Sequence, residues 1–147
     1  SYVILYGHNR KNGGMFGKLS QYQELRHMQE NAVIQWDTLQ DDAARNYVVF
    51  SVFDASMLPG DHNYFFLRRF DTCRSGNVSK IQAFLEEIQE RSLLNIPVEV
   101  RPQDRILVLV TCSYADPDGR LMVFFRALRE NETEEDLQAR VAQSAAH

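Results

Sequence analysis

Residues 106–110 read Ile-Leu-Val-Leu-Val, an unbroken apolar run. A half-exposed strand alternates apolar and polar residues, because successive side chains point to opposite faces. A run without alternation must be covered on both faces. Its brevity and β-branched content make it a strand rather than a helix. The chain therefore needs a sheet with material packed on either side of this strand. The run ends at Thr111-Cys112, and Asp116-Pro117-Asp118-Gly119 follows as a turn. Residues 121–125, Leu-Met-Val-Phe-Phe, then return as a strand, so the two are expected to pair as a hairpin.

Further strands are expected at 2–6, 32–36 and 46–53, each short and rich in β-branched or aromatic residues. Residues 7–14 form a Gly- and Asn-rich loop. A helix is expected from Met15 to about Met28, with Met15, Leu19 and Tyr22 on one face. The clearest helix spans about 80–93, where Ile81, Phe84, Leu85 and Ile88 recur at helical spacing and Ser79 with Gln82 offers a capping box. Between the strand at 46–53 and this helix lies a long connection, 54–78, which carries Pro59-Gly60 and the aromatic cluster Tyr64-Phe65-Phe66. Loops of that length in a compact domain tend to be functional. A polar helix is expected at about 133–143, with Glu134, Glu135 and Asp136 suiting the dipole of its first turn. Strands outnumber helices and do not alternate with them. The expected class is mainly β with helices (α+β), a barrel or sandwich rather than a parallel βαβ sheet.

The chain has 147 residues, enough for one domain with one core. Its net charge of -4 gives no basic footprint, so no nucleic-acid partner is expected. Cys73 and Cys112 form neither a disulfide framework nor a zinc pattern, and the histidines are widely separated. Neither a metal nor another cofactor is expected. No apolar run approaches the length of a membrane span. Chains seldom open inside a strand, so further residues are expected upstream of Ser1.

Cys112 sits where an apolar strand gives way to a polar turn, a mounting that holds a thiol rigidly and leaves it accessible. Arg120 begins the returning strand, where a hairpin would bring its guanidinium near the sulfur to stabilise a thiolate or an oxyanion. His8 follows a strand end within a glycine-rich loop and could protonate a leaving amine. Taken singly, each has a plainer reading. A lone cysteine at a strand end is usually a small buried hydrophobe, a lone histidine a loop hydrogen bonder, and an arginine after Asp-Gly a surface charge.

Their surroundings favour the chemical reading. Tyr6-Gly7-His8-Asn9, followed by Gly14-Met15-Phe16-Gly17-Lys18-Leu19, resembles the segment around the catalytic histidine of class B sortases. Val98-Glu99-Val100 and the stretch from Asp104 to Thr111-Cys112 resemble that family's approach to its TLxTC box, and Arg120 falls where the family carries its catalytic arginine. The resemblance covers the chain to about residue 130. It departs at Val110, where the class B box usually has serine, and at Val108, which replaces the box's leading threonine. It also departs at the start, where the family's N-terminal helices and first barrel strands have no counterpart.

The resemblance implies a sortase-type β-barrel, with 1–130 as the catalytic domain and 131–147 as a polar C-terminal helix or tail. It implies a cysteine transpeptidase. Cys112 would attack a threonine carbonyl within a C-terminal sorting signal, Arg120 would hold the substrate or its oxyanion, and His8 would move the proton. The partners implied are the sorting-signal peptide of a secreted protein and an amine from a peptidoglycan precursor or a pilin. The setting is the outer face of a Gram-positive membrane, with the anchor in the N-terminal part not present here. Tyr6, Thr111, Ser113, Tyr64 and Phe65 are the expected groove residues, Thr111 through a hydrogen bond and Ser113 through its backbone N–H. Cys73, His27, His62 and His147 have no role in the motif. The alternatives are a cysteine peptidase or hydrolase, and a truncated or degenerate sortase-like domain without activity.

Overall fold

The computed structural model describes residues 2–7, 19–36, 45–65, 67, 69, 78–112 and 118–146. The apolar run becomes β5 (Ile106–Cys112), which is buried along its length except at Cys112. On one side it pairs antiparallel with β6 (Gly119–Ala127), as the hairpin predicts. On the other it pairs in parallel with β1 (Tyr2–Gly7), from the opposite end of the chain. β6 continues the sheet to β3 (Arg45–Ser56), and β3 to β2 (Val33–Trp36), giving the order β1-β5-β6-β3-β2. All pairs but β1–β5 are antiparallel. A bulge at Val49/Ser51 lets β3 slip one residue against β6.

Both faces of the sheet are covered, and alternation along β6 shows how. Phe124 stacks on Phe53 at 5.3 Å, and Phe65 joins them edge-on and stacks in turn on Phe84 of the helix α2 (Val78–Arg91). The neighbouring Phe125 points the other way and meets Tyr22 edge-on at 5.8 Å. Such pairs contribute about 0.5–1.5 kcal/mol each beyond their buried area. α2 buries Phe84, Leu85 and Ile88, the face its spacing predicts. Ser51 Oγ donates to the Ile88 carbonyl at 2.7 Å, satisfying one of the acceptors left open at a helix end. The Val52 N–H donates to Ser92 Oγ at 3.1 Å, and the Leu93 N–H donates to the Val52 carbonyl at 2.8 Å. These bonds fix the end of α2 on the middle of β3.

The helix expected over 15–28 differs. Its described part is a 3-10 turn, Leu19–Gln23, then α1 (Leu25–Glu30), with a break at Glu24. The break lets Leu19, Tyr22 and Met28 all bury, and Tyr22 donates its hydroxyl to the Asn31 carbonyl at 2.9 Å. Burial pushes the Tyr22 phenol up to about 12. Ser79 is also not the cap expected of it, since α2 already begins at Val78. The C-terminal helix α3 (Glu134–Val141) is capped by Thr133, whose hydroxyl accepts the Asp136 N–H. Polar as it is, it buries Leu137 and Val141 in the common core. After α2 and α3 come β4 (Leu94–Asn95) and β7 (Ala145–Ala146), which form a small ribbon too short to be seen in the pattern.

Candidate active site

The site lies where β1, β5 and β6 end together. In the register, Cys112 stands directly opposite Arg120, Thr111 opposite Leu121, and Val110 opposite Met122. On the other side of β5, Tyr6 faces Val110 and Gly7 faces Thr111. Directly opposed residues of an antiparallel pair have Cβ atoms about 4.5–5.5 Å apart, so the thiol and the root of the guanidinium are neighbours. Side chains alternate, so Cys112, Val110, Tyr6 and Arg120 share one face of the sheet.

Cys112 is exposed while every other residue of β5 is buried. Burial along β5 thus stops at the cysteine. Tyr6 is 56% exposed, unusual for an aromatic ring on a sheet. Arg120 is half-buried, and its Nη1 donates to the Gly119 carbonyl at 2.8 Å, which draws the guanidinium along its own strand end. Together with Gly7, Val110 and Thr111 these residues line an open pocket of about 210 Å³. The valine that stands where the family box has serine is therefore part of the wall and leaves it apolar there.

The expected residues sort as follows. Cys112, Arg120, Tyr6 and Thr111 come together around this pocket. His8, Ser113 and Cys73 lie outside the described residues. Thr111 does not make the supporting hydrogen bond expected of it: its hydroxyl is buried and has no hydrogen-bond partner among the described residues. The alternation that turns Cys112 to the pocket turns the Thr111 side chain away from the Cys112 face. Phe65 is not a groove residue in this structure. It is 2% exposed and packed among Phe53, Phe84 and Phe124, because this sheet face needs an aromatic lid. Tyr64 is half-buried in the loop before α2 and does not line the pocket. Among the described residues no group of His, Cys, Asp and Glu side chains is arranged to hold a metal.

Sequence reasoning missed what anchors the site from behind. The Met57 N–H donates to the Asp118 carbonyl at 3.0 Å, tying the 57–65 loop to the hairpin that carries Arg120. Backbone bonds of this kind leave no mark on residue identity.

No family model matches the chain. It is 28% identical over 129 residues to sortase B of Staphylococcus aureus, a match covering 86% of this chain and 48% of that protein. The chain thus spans about half the length of this curated relative. The solved structure of sortase B from Bacillus anthracis in complex with AAEK2 superposes with a TM-score of 0.67 at 28% identity, covering 88% of this chain and 54% of that one. Clostridium perfringens sortase B, at 20% identity, gives a TM-score of 0.68 over 88% of this chain and 66% of its own, a likeness of fold. The Staphylococcus aureus sortase B–substrate complex superposes at 0.67 with 25% identity, over 88% of this chain and 56% of that one. The mainly β fold with few helices is thus the sortase type. In sequence and in fold alike, this chain is similar to the class B sortases.

Proposed function

We propose that the chain carries the acyl-transfer centre of a sortase-type cysteine transpeptidase. The observation that carries this reading is the register of the β5–β6 hairpin, which opposes an exposed thiol to an arginine at the mouth of an open pocket. His8 is the proposed acid/base. The residue before it, Gly7, pairs with Thr111 at the Cys112 end of the sheet, which supports that choice.

The Cys112 thiolate attacks the carbonyl carbon of a threonine in the sorting peptide. The tetrahedral oxyanion forms within reach of the Arg120 guanidinium, whose fixed positive charge stabilises it more than it does the planar ground state. The C–N bond breaks, His8 gives its proton to the departing amine, and a thioester remains on Cys112. A second amine then attacks the thioester and gives a proton to His8, the new amide forms, and the thiolate leaves. Tyr6 offers an exposed aromatic wall for the peptide. Sortase B has been solved with a substrate, the Staphylococcus aureus protein, and in complex with triglycine, a peptide amine, and both kinds of partner suit this scheme. Attachment to the outer face of a Gram-positive membrane belongs to the same proposal. No helix among the described residues is long and apolar enough to cross a membrane.

Mass spectrometry of the chain incubated with a panel of sorting peptides tests the reading. A thioacyl adduct on Cys112 is expected, absent in Cys112→Ala. With triglycine added, the adduct is expected to give way to a ligated peptide. An adduct that only hydrolyses, with or without the amine, would mark a peptidase instead. No adduct with any peptide would count against the mechanism.

A further inference from the structure

Arg91 closes the last turn of α2, which packs against β3. Its guanidinium carbon lies 5.0 Å from the ring centroids of both Phe53 and Phe65. From there Nη1 donates to the Tyr64 carbonyl at 3.1 Å and Nη2 to the Asn63 carbonyl at 2.7 Å. A planar fork can serve two consecutive carbonyls at once, whereas a lysine ammonium acts from a single point. The Asn63 carbonyl also accepts the Ser56 N–H at 3.1 Å, and the Phe65 N–H donates back to the Ser56 carbonyl at 3.2 Å. Both ends of the 57–65 loop are therefore gathered at Ser56. The next residue, Met57, is the one whose N–H holds the Asp118 carbonyl. In the β3–β6 register Ser56 faces Gly119, and Ala55 faces Arg120.

This path runs without interruption from the end of α2 to the arginine of the site. Filling the slot between two phenylalanines does not require a guanidinium, since methionine or leucine would pack there. Nor does α2 need Arg91 for its own end, which Ser51 and Ser92 already hold. The fork is used on the loop.

We infer that Arg91 is a positioning residue for acyl transfer: by clamping the Asn63 and Tyr64 carbonyls it holds the 57–65 loop, and through Met57 and Asp118 that loop sets Arg120 against Cys112. The inference rests on the proposed function. It assigns Arg91 no contact with substrate.

Arg91→Gln and Arg91→Lys in the full chain test it with two readouts. Amide hydrogen exchange reports the clamp directly. In Arg91→Gln, the Ser56 and Met57 amides are expected to exchange at least about tenfold faster, while Val49 and Leu109 in the middle of the sheet keep their protection. Peptide kinetics report the consequence. A fall of about tenfold in kcat/KM is expected, carried by kcat, with iodoacetamide alkylation of Cys112 changed less than about twofold. Arg91→Lys keeps the stem and the charge and should fall between the two on both measures. Unchanged exchange at Ser56 and Met57 overturns the clamp whatever the activity does. Faster exchange with kcat/KM within about twofold of wild type overturns the positioning role. A wild-type chain that transfers no acyl group overturns the functional reading and the positioning role with it, while the clamp is still judged by exchange.

Discussion

Arg120 and Arg126 stand on the same strand and, by alternation, on the same face of the sheet, yet their surroundings are opposite. Arg126 is 0% exposed. Its fork meets both oxygens of Glu132 at 2.7 and 2.9 Å, and its Nε donates to the Glu99 carbonyl at 2.6 Å. Asp104 lies 4.0 Å away and is itself held in a bidentate pair with Arg129. Arg120, at the other end, lines a pocket open to solvent beside an exposed thiol. A guanidinium saturated inside the fold and sealed from water can only support the fold. One beside an open pocket can serve a substrate. On the proposed reading, burial alone separates a structural from a chemical role for the same residue type on one strand.

The two ends should therefore fail differently. The largest effect is expected at Cys112: replacement by alanine removes the proposed nucleophile and should lower peptide acyl transfer by about 10⁴-fold or more, with the thermal midpoint nearly unchanged because the side chain is exposed. Arg126→Ala should do the reverse. Leaving the half-buried Glu132 carboxylate without its fully buried partner costs up to about 3 kcal/mol, read in urea unfolding as a lower midpoint, or as failure to fold. Arg120→Ala comes next. Loss of an oxyanion donor typically costs about 10²–10³-fold in kcat, here with stability kept within about 1 kcal/mol. If Arg120→Ala unfolds the chain as Arg126→Ala does, the contrast between the two ends is gone.

How much of this is legible in the sequence differs between the same two ends. The apolar run at 106–110 forces a doubly covered strand, and the turn signal Asp-Pro-Asp-Gly in the sequence predicts the hairpin. Together they put Cys112 beside Arg120 from residue order alone. The buried network is invisible there. Arg126, Arg129, Glu132, Asp104 and Glu99 look like surface charge in a sequence, because only the fold brings residues so far apart in the chain into one cluster. The aromatic loop misleads for a related reason. Tyr64 and Phe65 adjoin in sequence, but alternation and the need to cap Phe53 and Phe84 send Phe65 inward. The break at Glu24 escapes because helical spacing holds across a 3-10 turn about as well as across an α-turn.

Acid should separate the ends as well. Hydrogen bonding by Arg126 holds the Glu132 carboxyl at about 2, below its ordinary 4.5. A carboxylate whose pKa is lowered by folding contributes stability above its unfolded value and loses it as pH falls through the folded one. At about 1.4 kcal/mol per pH unit, the contribution is on the order of 3 kcal/mol, present at neutral pH and lost between about pH 4.5 and 2. Urea midpoints measured across that window should fall more steeply for wild type than for Glu132→Gln, which has no carboxylate to titrate. Parallel slopes would mean that the Arg126 network does not set acid stability.

The smallest effect expected is at Tyr6, and it bears most finely on the contrast. Its ring is 56% exposed and stands on the same sheet face as Cys112, lining the pocket two positions along from the thiol's row. Truncating so exposed a side chain should change folding stability by no more than about 0.5 kcal/mol. If the ring is a wall for the peptide, Tyr6→Ala should raise KM several-fold, about 1 kcal/mol of lost contact, and leave kcat nearly alone, since a wall serves ground state and transition state alike. Tyr6→Phe keeps the wall and should behave as wild type. A fall in kcat with KM unchanged would make the hydroxyl or the ring part of the chemistry and extend the reactive end of the sheet from β5 and β6 onto β1. A loss of stability would instead make Tyr6 a core residue of the kind Phe65 proved to be.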